Sequence, residues 1–361
     1  MFTYESDKIR VLIIDNSAFM RVLIADMLKN DADIEVVDTA RNGKEGIEKV
    51  IALQPDIITL DVEMPVMNGL ETLAELMKMK PVPKVIMLSG ATYEGAEATI
   101  KALELGALDF AAKPTASIIE FDIEHIRDEL TNKIKSIGKS KGMYYPHVQA
   151  KKRLSLTKKN FFSGSVYGEC LKHIVVIGTS TGGPKALQEV LTKLPEDIPA
   201  AVLVVQHMPP GFTKSLSERL NSLSQINIKE AEEGDVLKPG WAYIAPGDYH
   251  MLINNYGNYE YRISINRESP VTGHRPSVNV MMKSVAESGH KNIIAVMMTG
   301  MGNDGSEGIL KIKETGGITI AQDESTSVVY GMPKSAVNIG AIDIITPLEN
   351  IASEILKNMG V

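Results

Sequence analysis

A single cysteine, Cys170, in 361 residues leaves no partner for an internal disulfide, and one thiolate does not make a metal site. Aromatic residues are scarce, at 5% of the chain, so any core must be aliphatic, built on Ile, Val, Leu, Ala and Met. No apolar run reaches the roughly 18 residues that span a bilayer, and the first residues, MFTYESDKIR, lack the apolar segment of a secretion signal. A cytoplasmic protein without direct membrane insertion is expected. Positive charge is not in excess either: the formal net charge of −7 argues against a nucleic-acid binder. What is present is a globular composition, 44% hydrophobic and 23% charged, over a length that suggests two domains rather than one core.

From about Ile9 to Ile137, short β-branched runs alternate with longer amphipathic ones. RVLIID, IEVVDTA, DIITLD, KVIMLSG and LDFAAKP read as strands. The segments between them, such as SAFMRVLIADMLKN and AEATIKALELG, carry apolar residues at helical spacing and end near Asn or Gly. Five such units imply a parallel sheet covered on both faces. The stretch 131–168 holds nine Lys or Arg and no Asp or Glu, and reads as a basic linker. From Ile174 the alternation returns with HIVVIG, AAVLVVQ, WAYIAPG, YRISIN, NIIAVMMTG, GITIAQ and AIDIITP, a second and larger α/β unit. The expected organisation is 8–130, a linker at 131–168, and 169–358.

In open α/β sheets, ligands gather at the carboxyl ends of strands. In the first half those ends are Asp15 and Asn16 after the first strand, Asp61 after the third, Ser89 after the fourth and Lys113 after the fifth. Asp61 is suited to attack a phosphoryl group. A neighbouring acid can hold Mg²⁺ through oxygen, and Ser89 and Lys113 can bind the phosphoryl oxygens. With IDNS, TLDVEMPVMNGLE, LSG and DFAAKP, this half resembles a response-regulator receiver domain, a flavodoxin-like fold. The resemblance implies phosphorylation of Asp61 by a sensor histidine kinase, Mg²⁺ held by Asp15, Asn16 and Asp61, and a switch made of Ser89, Lys113 and Phe110. Asn16 departs from the pattern, which has a second acid there, so weaker Mg²⁺ binding or altered phosphorylation kinetics is expected.

In the second half, HIVVIGTSTGGPKAL runs from a strand through Gly178-Thr179-Ser180-Thr181-Gly182 into a helix. This satisfies G-x-S-x-G with the strand before and helix after that a nucleophile elbow requires. A phosphate-binding turn and a purely structural turn remain open on this segment alone. AAVLVVQ ends at His207, and NIIAVMMTGMGNDG opens into a glycine loop whose only carboxylate is Asp304. His250 and His274 also lie in loops, but neither follows so apolar a strand. Ser180, His207 and Asp304 all follow buried strands and should share one edge. An aspartate accepting from His Nδ1–H would fix the tautomer and stabilise the imidazolium formed as the serine loses its proton. The chain order Ser, His, Asp differs from the Ser, Asp, His order of α/β-hydrolases.

IGTSTGGPKAL, QHMPPGFTKSLSERLN, AYIAPGDYHM, HRPSVNVMMKSVA, TGMGNDGSEGI and AQDESTSVVYGMPKSA resemble the catalytic domain of the chemotaxis protein-glutamate methylesterases. The resemblance implies a second doubly wound, Rossmann-like parallel sheet and a triad of Ser180, His207 and Asp304. It also implies a substrate: glutamyl methyl esters, with glutamines for deamidation, on chemoreceptor cytoplasmic helices. No cofactor is expected in this half. The backbone amides of Thr181 and Met301 are the expected oxyanion donors. Arg219, Arg275 and Lys185 are candidate contacts for an acidic receptor surface, whereas Met281-Met282 and Met297-Met298 are expected in the core. A monomer is expected, controlled by its receiver. The alternative is a phosphorylation-controlled phosphate- or nucleotide-binding module that uses 178–183 and 300–305 as loops and has no esterase activity.

Overall fold

The computed structural model describes residues 8–90, 92–113, 120–140, 171–258 and 260–360. In the first half, β1 (Ile9–Ile14), α1 (Ala18–Lys29), β2 (Ile34–Ala40), α2 (Gly43–Leu53) and β3 (Ile57–Asp61) alternate. They are followed by α3 (Gly69–Leu76), β4 (Lys84–Ser89), α4 (Tyr93–Leu105), β5 (Asp109–Ala112) and α5 (Glu120–Lys139). The sheet is parallel in the order β2-β1-β3-β4-β5. Every residue of β3 is buried, as helices on both faces require. Polar caps start the helices: Ser17, Asn42, Asn68 and Thr92 each accept a first-turn amide, and Asn68 forms a reciprocal capping box with Glu71.

The basic stretch does not become a linker at 131. Helix α5 continues to Lys139, with Leu130, Ile134 and Ile137 buried against the first sheet. Its lysines have local partners. Lys135 pairs with Asp31 at 2.8 Å, and Lys139 pairs with Asp33 at 3.0 Å. Lys133 lies within 2.8 Å of Glu129 and 3.5 Å of Asp109. Residues 141–168 and Cys170 lie outside the described residues.

The second half contains β6 (His173–Thr179), α6 (Gly183–Leu191), β7 (Ala200–Gln206), α7 (Phe212–Leu223), β8 (Asn227–Glu230) and β9 (Trp241–Ile244). Then come β10 (His250–Asn255), β11 (Tyr261–Asn266), α8 (Val278–Glu287), β12 (Ile293–Met297) and α9 (Ser306–Glu314). The remaining elements are β13 (Ile318–Gln322), α10 (Met332–Asn338), β14 (Ile344–Thr346) and α11 (Leu348–Met359). Seven strands form a parallel sheet in the order β14-β13-β12-β6-β7-β9-β8. The segment YRISIN is not part of it: β11 pairs antiparallel with β10 as a separate hairpin. Met281, Met282, Met297 and Met298 are fully buried.

The two halves share packed surface. One apolar cluster joins Ile100, Leu103 and Phe110 of the first to Phe212, Leu216 and Leu220 of the second. Polar pairs cross beside it, Arg219 to Glu104 at 2.6 Å and Tyr93 Oη to Glu218 at 3.1 Å. Among the described residues, no helix is long and apolar enough to cross a membrane.

Candidate active site

The order β12-β6-β7 sets the three strand ends that carry Asp304, Ser180 and His207 side by side. Thr179 and Gln206 are paired in register at the ends of β6 and β7, so Ser180 and His207 are the next residues on adjacent strands. The Gln206 side-chain amide ties them together, donating to Ser180 O at 3.0 Å and to His207 O at 3.1 Å. Gln206 is itself buried, a polar residue closing an otherwise apolar strand.

The turn after β6 is fastened from the other side by Thr299. Its carbonyl accepts from Ser180 N and from Thr179 Oγ1, both at 3.0 Å, and its hydroxyl donates to Thr181 O at 2.9 Å. Gly182 turns the chain into α6 at φ +78°, a conformation that a side chain disfavours. Gly300 allows a close approach: a Cβ there would lie 2.8 Å from Ser180 Cβ and 2.3 Å from Met332 Sδ. The glycine loop after β12 therefore lies directly against Ser180. Among the described residues, Thr181 N and Met301 N have no backbone acceptor.

Asp304 sits at the N-terminus of α8. Oδ1 accepts from Ser277 Oγ at 2.8 Å and Asn279 N at 3.2 Å; Oδ2 accepts from Val278 N at 2.6 Å and faces His207 Nε2 at 2.9 Å. Burial pushes this carboxyl up, but the His207 hydrogen bond and charge, with the Val278 and Ser277 donors, outweigh it and hold Asp304 well below the ordinary carboxylate range. A carboxylate facing Nε2 favours the proton on that nitrogen. This corrects the expected arrangement: the histidine turns Nε2, not Nδ1, to the aspartate. Nδ1 is buried with no hydrogen-bond partner among the described residues. Ser180 is half-buried, and its hydroxyl makes no hydrogen bond to another described residue. The structure sets Ser180 and His207 on neighbouring strand ends without a hydrogen bond between their side chains among the described residues.

The first half of the chain meets this turn. Asp109 Oδ2 accepts from Thr181 Oγ1 at 2.8 Å, and the Phe110 ring stacks on Phe212 with centroids 4.6 Å apart. Met301 packs with an apolar cluster built mainly from the first half. At the receiver's carboxyl edge, Lys113 Nζ lies 2.8 Å from Asp15 Oδ2 and 2.7 Å from Asp61 Oδ1. Asp61 Oδ2 is buried and has no hydrogen-bond partner among the described residues. Burial pushes the Asp61 carboxyl up, and Lys113 offsets this only in part. Ser89 is buried, its hydroxyl donating to Gly90 O at 3.2 Å. Asn16 is exposed and lines a cleft with Val62, Glu63 and Met64.

Residues 11–120 match the family described as response regulator receiver domain, and residues 175–355 match CheB methylesterase. A protein-glutamate methylesterase/protein-glutamine glutaminase of Pyrococcus abyssi is 47% identical over 350 residues, covering 97% of this chain and 93% of that protein. The chain belongs to the CheB methylesterase family. A protein of the same description from Halalkalibacterium halodurans is also 47% identical, covering 97% of this chain and 98% of its own length. The crystal structure of the Thermotoga maritima CheB methylesterase catalytic domain has 45% sequence identity and a TM-score of 0.49, covering 51% of this chain and 97% of that one.

Two of the basic residues expected to meet a receptor are otherwise engaged in this methylesterase. Arg219 is paired with Glu104 of the receiver, and Arg275 with Asp248. Sequence reasoning also passed over Gln206 and Ser277. A lone amide ending the run AAVLVVQ was the available signal for Gln206; nothing in HRPSVNV marked Ser277 as a partner of Asp304.

Proposed function

We propose that this chain hydrolyses glutamyl methyl esters on chemoreceptor cytoplasmic helices through a Ser180–His207–Asp304 triad. The observation that carries this reading is the His207–Asp304 pair. The aspartate accepts from three further donors, and His207, its Nδ1 unpartnered among the described residues, follows the strand next to the one that ends before Ser180.

Ser180 Oγ attacks the ester carbonyl as its proton passes to His207 Nδ1, forming a tetrahedral oxyanion. The amides of Thr181 and Met301 are the donors for that charge, and losing one such donor costs on the order of 10²–10³ in turnover. Collapse breaks the carbon–methoxy bond, and Nδ1–H supplies the proton that leaves with methanol. Water then attacks the acyl-serine while Nδ1 takes its proton, and the proton returns to Ser180 as free glutamate departs. With a glutamine the same steps release ammonia, in keeping with the glutaminase activity in the relatives' names.

Control lies in the receiver. Its docking over the turn, through Asp109–Thr181 and Phe110–Phe212, supports a covered resting state. Phosphoryl transfer from a sensor histidine kinase to Asp61, with Ser89 and Lys113 on the phosphoryl oxygens, would move Phe110 and loosen this contact. The oxygen donors fit Mg²⁺: the Asp15 carboxylate, Asp61 with its unpartnered Oδ2, and the Asn16 amide. When bound, Mg²⁺ would neutralise phosphoryl charge. The protein works as a cytoplasmic monomer in this reading.

Fluorophosphonate labelling tests the core of the proposal. Wild type should be labelled and Ser180→Ala should not, and methylated receptor should release methanol only with the former. An unlabelled wild type that still binds phosphate or nucleotide after Ser180→Ala would establish the phosphate-module alternative.

A further inference from the structure

The His274 imidazole lies flat on the His207 imidazole, ring centroids 3.8 Å apart and planes inclined by 11°. We infer that His274 is a positioning residue for the esterase, the wall that fixes the plane of the basic imidazole. The inference rests on the serine-triad reading above.

A single hydrogen bond at Nε2 sets the direction of the His207 ring but leaves it free to swivel about that bond. Swivelling would change where Nδ1 points. Carbon atoms in contact sit about 3.5–4.0 Å apart, so a parallel ring at 3.8 Å leaves no room for the swivel on that face. Asp304 and His274 thus restrict two different motions of the same ring, and together they define where Nδ1 points.

The wall is itself built to be rigid. Val271 and His274 exchange both backbone hydrogen bonds, at 3.1 and 3.0 Å, across a two-residue turn. Thr272 at φ 52° and Gly273 at φ 81° supply the two positive φ values that such a tight turn requires. The next residue, Arg275, is tied to Asp248 Oδ1 through Nε at 3.0 Å and Nη2 at 2.5 Å, and to Glu268 O at 3.0 Å. Two residues further on, Ser277 N donates to His250 Nδ1 at 3.2 Å. Ser277, Val278 and Asn279 then hold Asp304. One short segment, 271–279, therefore delivers both the face that stops the imidazole and the donors that fix its carboxylate partner. The Arg275–Asp248 pair anchors this segment.

A flat ring face is what the role needs. The full-length chain is compared as wild type, His274→Ala, His274→Leu and His274→Phe, reading the rate of fluorophosphonate capture at Ser180 and the kcat and KM for receptor demethylation. Ala and Leu should slow capture and kcat about 10- to 100-fold, the scale on which small misplacements act, with KM little changed. Phe should restore both rates to within a few-fold of wild type. Leu fills the space without a flat face, so a folded but slow Leu variant separates orientation from simple packing. Leu at the wild-type rate overturns the inference, as does Phe as slow as Leu. Failure of the wild type to be labelled would instead remove the triad reading itself.

Discussion

The Thr181 hydroxyl donates to Asp109 Oδ2 at 2.8 Å, and both residues are buried. One belongs to the turn that carries Ser180 and the other to the strand that carries Phe110. Lys133 stands behind the carboxylate, its Nζ also bonded to Phe110 O at 2.5 Å and 5.2 Å from the centre of the Phe110 ring. Burial alone would lower the Lys133 pKa, but Asp109 and Glu129 raise it above the ordinary lysine range, so a cation backs the latch. A hydrogen bond to a charged group contributes about 1.5–3 kcal/mol, so Thr181→Val should shift undocking about 10-fold or more. Basal ester hydrolysis without phosphodonor should rise accordingly, and removal of residues 1–150 should raise it further. Unchanged basal rates in both proteins would count against restraint by the receiver.

Asp304 carries a second expectation. Its pKa is depressed in the fold, so its contribution to stability is fully present above the unfolded carboxylate value of about 3.9. That contribution is lost as pH falls through the folded value. Asp304→Asn should therefore lower the urea midpoint at pH 7, with the gap to wild type closing as pH drops below about 4. Turnover should fall about 10⁴-fold, because an amide offers Nε2 no fixed anion and no longer selects the tautomer.

The strands and their polar ends were legible because buried parallel strands read as unbroken apolar runs, and each run stops where the chain meets the ligand edge. Asp15, Asp61 and Lys113 converge for that reason, and His207 meets Asp304 on the strand end next to the one that carries Ser180. Strand order was not legible: β12 lies beside β6 through contacts more than a hundred residues apart, and no local pattern encodes that. The tail of α5 was misread because its lysines have no acids among them in sequence. Their partners Asp31 and Asp33 lie between α1 and β2. The imidazole nitrogen facing Asp304 is a matter of side-chain rotation, which composition and spacing do not touch. His274 was set aside for lack of an apolar strand before it, yet the hairpin turn brings it to the His207 ring.

At the receiver, burial raises the Asp61 carboxyl despite Lys113, so its ionised form is disfavoured in the fold. For an acid with a raised folded pKa, the cost is absent below the unfolded value of about 3.9 and complete above the folded value. Asp61→Asn removes the charge without changing the shape. It should raise the thermal midpoint of the receiver at pH 7 and leave it unchanged near pH 3. An equal or lower midpoint at pH 7 would mean that Lys113 and Asp61 stabilise the fold more than burial of the carboxylate destabilises it.

Asn16 tests how much negative charge the proposed Mg²⁺ site needs. The buried pair Asp15 and Asp61 shares one ammonium, Lys113, and Asn16 adds an oxygen but no charge. A carboxylate at position 16, on the wall of the cleft beside Val62 and Glu63, would add attraction for a divalent cation that water only partly screens. Asn16→Asp should tighten Mg²⁺ binding about tenfold or more, the scale of one added charge at the edge of a protein. Calorimetric titration reads the affinity, and phosphorylation from a small-molecule donor at limiting Mg²⁺ reads the rate, which should rise in step. If affinity and rate both stay at the wild-type level, the amide oxygen already serves as well as a carboxylate, and Asn16 is not what sets phosphorylation in this receiver.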